Sequence, residues 1–254
     1  MTAQLLYDNR LADAAVSATT TDTGFDADNI SDWRTNTRWQ SSSTATQYLT
    51  VDCGSAKSAD TVGLAVHNLA TAGASLAVEC SSDNFVSDTT VAKASASVVD
   101  DGVLYLQFAS QSKQYWRLKI TGLTVKCYIA LAVIGERVEF PELIEGEFSP
   151  GKEQVQPGAT VAAKGQTLEV VKEYTTLSSR VGFQLITDAW FRDTFMPVWD
   201  AHLRTLMPFF WVPNYDLDAT GAYVYRIAPG GMLDAHTQAI GKRRFSLSLV
   251  GVVL

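Results

Sequence analysis

Residues able to do acid–base, nucleophilic or metal chemistry are few and scattered in this sequence. Three histidines, His67, His202 and His236, stand at no spacing that would put two imidazoles on one metal. Each reads as a structural or surface residue. Two acidic groupings could supply the paired carboxylates of glycoside hydrolysis, which stand roughly 5–10 Å apart in such sites. The trio Glu142, Glu145 and Glu147 reads better as a solvated strand face, and Asp188 with Asp193 as charge near a helix N-terminus. Gly241-Lys242-Arg243 lacks the earlier glycine and the following hydroxyl of a phosphate loop, and no Gly-x-Ser-x-Gly elbow occurs. Cys53, Cys80 and Cys127 are odd in number and lack C-x-x-C spacing, which suits packed, reduced thiols rather than a disulfide framework or zinc. The expectation is no catalytic residue, no cofactor and no metal: the chain reads as a non-enzyme.

Bulk properties narrow the remaining classes. A formal net charge of −7 repels phosphate backbones, so nucleic acid is not an expected partner, and Lys242-Arg243-Arg244 reads as a solvated strand entrance. No stretch approaches the roughly 18 apolar residues of a membrane span. The opening MTAQLLYDNR has no positive n-region or apolar h-region, so it reads as lacking a secretory signal, with folding in a cytoplasm. At 254 residues, with 46% apolar and 19% charged residues, the chain can bury a sizeable core, and two domains are the natural reading.

The elements that would position any site are mostly strands. Short runs rich in Val, Leu, Ile, Thr and Tyr, broken by Gly, Ser, Asp and Asn, predict strands at 4–8, 47–52, 61–67, 75–81, 103–109, 115–121 and 126–134. In the sixth of these, Trp116, Leu118 and Ile120 alternate with Tyr115, Arg117 and Lys119, so one face is buried and the other wet. The expected fold is mainly β: an antiparallel β-sandwich over 1–137, then a β-rich α+β domain over 138–254 with one long helix. Two Pro-Gly pairs, Pro150-Gly151 and Pro157-Gly158, predict a protruding loop at 149–166. The helix is expected over 187–207, capped by Thr187 and kinked or split by Pro197. Strands follow around Phe209-Phe210-Trp211-Val212-Pro213 and Tyr223-Val224-Tyr225-Arg226, and Phe245, Leu247 and Leu249 alternate with serines in a closing strand.

Three pieces of the first half carry a resemblance. Thr37-Arg38-Trp39-Gln40-Ser41, the run Tyr48 to Gly54 and Tyr115-Trp116-Arg117-Leu118-Lys119-Ile120 stand in the order seen in the discoidin, or coagulation factor type C, domain family, which this half resembles. The resemblance implies a jelly-roll sandwich that binds glycans, lipid head groups or proteins through variable loops, or only braces. Trp39 is large enough to plug one end of a sandwich, and Asp52 before Gly54 can satisfy turn amides. Some members hold calcium near the polar loop, where Asp28, Asp32 and Thr37 offer oxygens. Here Trp33 and Arg34 replace the Gly-Asn pair such members tend to have, and no metal is expected. Trp33, Arg34 and Arg38 are the candidates for a ligand-binding loop.

The second half resembles, by texture, the distal-tail and tail-tip proteins of long-tailed bacteriophages. The likeness rests on 177–184, the aromatic helix, the Pro-flanked strand at 209–213, Tyr223 to Arg226 and the closing strand followed by Gly251. It implies a structural virion protein, assembled in the host cytoplasm, whose six-fold homo-oligomeric ring joins the tail tube to the tip or baseplate. Tail tube, tip or hub and tape-measure proteins would be its partners. Pro150, Gly151, Pro157, Gly158, Trp190, Phe191 and Trp211 are the assembly-interface candidates, since aromatics are enriched at interface centres. The alternative is a lectin-like module that holds a cell-surface glycan for host attachment.

Overall fold

A computed structural model describes residues 2–146, 148, 152–161, 163, 166–218, 221–229 and 233–252. Among these residues the strands form two antiparallel sheets, and the protein is mainly β, as expected. The N-terminal part runs β1 (Gln4–Leu6), β2 (Ser17–Ala18), β3 (Trp39–Gln40), β4 (Gln47–His67), β5 (Ser75–Ser81), β6 (Thr90–Ser97), β7 (Leu104–Thr121), β8 (Tyr128–Gly135) and β9 (Val138–Glu139).

One sheet, in the order β3-β8-β4-β7-β5-β6 with β2 on β4, is folded over to make both layers of a sandwich. The strands expected at 47–52 and 61–67 are one strand, β4, and those at 103–109 and 115–121 are one strand, β7. Register shifts between Asp52 and Lys57 and between Ala59 and Thr61 bend the β4–β7 pair, because a bulge adds residues to one strand and sharpens its twist. The first part of β4 therefore lies with β2, β5 and β6 in an outer layer, and its last part with β3 and β8 in a middle layer. Trp39, Val51, Leu64, Trp116, Leu118 and Ile134 are fully or almost fully buried between these layers.

The second sheet takes β10 (Lys152–Val161), β11 (Thr167–Thr187), β12 (Phe209–Val212), β13 (Tyr223–Ile227), β14 (Asp234–Ala239) and β15 (Lys242–Gly251). Its order is β10-β11-β15-β13-β12-β1-β9, with β14 on β15. Two expectations need correction here. Strand β1, read with the sandwich, pairs with β12 and β9 in this sheet. The segment read as a protruding loop or arm at 149–166 contains β10, paired with β11 over residues 152–161, with a register shift at Gln156/Pro157. Pro157 sits at that irregularity, where a strand tolerates its missing donor.

The two sheets pack face to face. Leu6, Phe210, Val212 and Val224 meet Ala65, Leu131 and Val133 of the middle layer, which is thus apolar on both faces. Gly63 makes room: a Cβ there would lie 3.0 Å from the Phe210 ring. Polar ties flank the contact. Asn9 donates to the Ala132 carbonyl at 3.0 Å and accepts from the Ile134 amide at 3.2 Å, and Arg137 pairs with Asp60 at 2.9 Å.

The far face of the second sheet is covered by the helical segment: α1 (Asp188–Trp190), a π-helical turn Phe191–Phe195 and α2 (Met196–Ala201). Thr187 caps it by accepting from the Trp190 amide, as expected. Pro197 cannot donate to the Asp193 carbonyl, and the chain absorbs the fault by widening into the π turn, where the Met196 amide donates to Phe191. Phe191, Phe195, Phe183, Trp211 and Phe245 fill the core beneath.

Candidate functional site

The loop between β2 and β4 carries the polar segment that resembles the discoidin motif, and its positioning begins at Val66. This residue has φ 54°, a conformation that costs a β-branched side chain about 1–3 kcal/mol. It resets the alternation of the middle layer. On one side of it Val62, Leu64, Ala132 and Ile134 face the sandwich core; on the other, Ile129 and Trp39 do. With Trp39 paired to Ile129 and Gln40 to Tyr128, the residues flanking this inward pair, Arg38 and Tyr128, are left on the outer side. Trp39 is anchored by its indole N–H on the Thr20 carbonyl at 3.1 Å, so it plugs the sandwich end as its size suggested.

A cleft of about 350 Å³ opens there, lined by residues that include Phe25, Asn29, Thr37, Arg38, Val66 and Tyr128. The guanidinium of Arg38 lies 4.4 Å from the centre of the Tyr128 ring and 5.0 Å from that of Phe25. Such contacts are worth about 0.5–2 kcal/mol each, depending on desolvation. Asn29 fixes the backbone by donating to the Arg38 carbonyl at 2.9 Å. At the rim, Lys126 hydrogen-bonds Asp22 at 2.8 Å and holds its carboxyl below the usual range.

The three loop candidates separate. Arg38 lines the cleft; Arg34 is exposed on the same loop, its amide bonded to Asp32. Trp33 turns away, at φ 61°, and packs edge-on against His202 with ring centres 4.9 Å apart. It packs, partly buried, against the core between the sheets and lines a separate pocket with Leu206, Pro208 and Arg226. Phe25, Asn29, Val66 and Tyr128 went unread as site residues. Their only sequence signal was two aromatics bracketing a polar segment, at a separation that says nothing about contact.

The oxygens considered for calcium are otherwise engaged. Asp28 accepts from the Val16 amide at 2.6 Å, and Asp32 from the Thr37 hydroxyl at 2.7 Å and the Arg34 amide at 2.8 Å. No group of three metal-ligating side chains occurs among the described residues.

Three of the carboxylates tested for catalysis have structural partners. Asp188 pairs with Arg243, Glu145 with Arg244 and Asp193 with Arg192. Glu147 lies outside the described residues. His67 is buried at the end of β4, its Nδ1 accepting from the Leu69 amide at 3.3 Å, and His202 meets the Pro208 carbonyl at 2.6 Å. Burial pushes both imidazoles below their ordinary pKa. His236 is exposed on β14, not in a loop. Burial raises the Cys53 thiol to about 12 and that of Cys80 to about 11, which removes nucleophilic character from both.

The assembly candidates fare differently from expectation. Trp211 is 0% and Phe191 4% exposed within this one chain, so these two fill an internal core, whereas Trp190 packs on Phe140 and stays partly exposed. Pro157 and Gly158 lie in β10, at the edge of the second sheet. Pro150 and Gly151 lie outside the described residues.

No protein-family model and no curated protein matches the sequence. Solved structures similar to the N-terminal half are carbohydrate-binding modules. One is chitosan-binding module 1 of a chitosanase/glucanase from Paenibacillus sp. IK-5, 21% identical, TM-score 0.43, covering 50% of this chain and 98% of that one. Another is a family 32 carbohydrate-binding module from C. perfringens in complex with galactose, 15% identical, TM-score 0.42, covering 54% of this chain and 99% of that one. A third, a Clostridium perfringens module in complex with GalNAc-β-1,3-galactose, is 11% identical with TM-score 0.44 and covers 51% and 99%.

Proposed function

We propose that the protein is a non-catalytic glycan-binding protein whose site is the cleft around Arg38. The observation that carries the reading is a guanidinium held against two aromatic rings in a cleft, with no hydrogen bond or ion pair to its side chain among the described residues. Saccharides present hydroxyl pairs and apolar ring faces together, and a site of few placed polar groups beside aromatic surface is suited to both. Thr35, Asn36 and Thr37 add neutral polar groups to the lining.

The test is a glycan array followed by calorimetric titration with the intact chain. Arg38→Gln is expected to weaken the best array ligand by about an order of magnitude or more, and Phe25→Ala by a comparable factor. Arg34→Ala, outside the cleft, is expected to have a smaller effect. Absence of any bound glycan, or binding unchanged by both cleft substitutions, would sink the reading.

The β10–β11 hairpin favours a second reading, in which the protein is a structural component of a bacteriophage tail. Its outer strand, β10, ends the sheet, and among the described residues no strand pairs with its other side. An open edge can take a strand from a neighbouring subunit, as a ring between tail tube and tip would require. Nothing in the aromatic core adds to this, because its rings are buried within the chain. Light scattering would show a closed oligomer, with six copies expected; a strict monomer at high concentration would remove it.

A further inference from the structure

We infer that the cleft takes an acidic saccharide, one carrying a ring-borne carboxylate; this rests on the reading of the cleft as a glycan site. Charge pairing elsewhere in the chain sets the contrast. Among the described residues Arg10, Arg117, Arg137, Arg192, Arg204, Arg243 and Arg244 each reach a carboxylate within 2.5–3.1 Å. Arg34, Arg38 and the exposed Arg226 do not, although the chain as a whole carries seven more negative than positive charges.

Three carboxylates of the surrounding loop are engaged by other donors, while Asp26 makes no side-chain cap hydrogen bond. Asp22 is bound to Lys126, Asp28 to the Val16 amide, and Asp32 to the Thr37 hydroxyl and the Arg34 amide. Arg38 is the one charged side chain among the residues lining the cleft. The guanidinium lies over the Tyr128 and Phe25 rings, and its in-plane donors form a fork that matches the two oxygens of a carboxylate. A neutral sugar would use those donors one hydroxyl at a time and leave the charge uncompensated. A uronic acid would occupy the fork with one group and draw on Arg34, on the same loop, for further attraction.

The closing experiment compares ligands and leaves the fold untouched. Calorimetric titration of the intact chain would use galacturonic and glucuronic acid oligosaccharides, their methyl esters and neutral oligosaccharides of the same length. The acids are expected to bind at least about tenfold more tightly than their esters, with that preference shrinking as salt is raised from about 50 mM to about 500 mM. Arg38→Gln is expected to abolish the preference, and Arg38→Lys, which keeps the charge without the fork, to retain part of it. Equal binding of acid and ester, or binding of neutral glycans alone, overturns the inference while leaving the glycan site standing. Failure of every acidic and neutral glycan to bind overturns the site itself.

Discussion

His67 and His202 show how burial decides what a titratable side chain does. Both are packed away with their pKa values lowered by desolvation, so below the ordinary histidine range the unfolded chain binds protons that the folded chain refuses. Their contribution to stability is full above that range and is lost as pH falls through it toward the folded values. The melting temperature is therefore expected to drop between about pH 7.5 and about pH 5.5, with a shallower drop in a His67→Gln, His202→Gln double variant. An identical slope in the two proteins would contradict the assignment. Glu79, whose burial is outweighed by Arg117 and Lys119 so that its pKa is lowered, acts below this window. Residue-scale reading from sequence succeeded where the cause was local. Asp52 accepts from the Gly54 amide at 2.8 Å, and Trp39 plugs the sandwich. It failed for Trp33 and Tyr128, because which ring meets His202 and which meets Arg38 is set by strands distant in sequence.

Strand continuity is the element-scale lesson. Alternation in Trp116, Leu118 and Ile120 was legible because period two survives within a straight run. The joining of two runs into β4 and of two into β7 was not, since bulged residues break the period where the strand bends. Strand β6 escaped notice for a related reason: it is an edge strand of Ala and Ser with little buried surface. The spacing between the sheets depends on Gly63 as a contact point for Phe210. Gly63→Val is expected to cost about 1–3 kcal/mol through overpacking, read as a lower urea midpoint with unchanged slope. An unshifted midpoint would show that the sheets sit further apart than described. At Gly135 an added Cβ would collide with the Asp8 carbonyl oxygen, so Gly135→Ala is expected to be at least as damaging.

At the scale of the whole molecule the described residues make three β layers and a helical cover, and the middle layer belongs to two cores at once. The N-terminal strand crosses into the second sheet, so the two halves expected from composition share both chain and core. A single calorimetric unfolding transition is expected; two well-separated transitions would show that the sandwich and the second sheet are independent. The aromatic surplus of the second half, which suggested burial against other subunits, is absorbed under the helix by Phe140, Phe183, Phe195 and Phe245. Composition could not show this, because it counts rings without locating the surface that covers them.

The role of Arg38 is tested most directly by nuclear magnetic resonance of the guanidinium itself. On titration with a uronic acid oligosaccharide, the Nε–H resonance of Arg38 is expected to shift and saturate together with the amides of Phe25, Asn29 and Tyr128. Shifts clustering elsewhere, with these four signals unmoved, would contradict the assignment of the cleft.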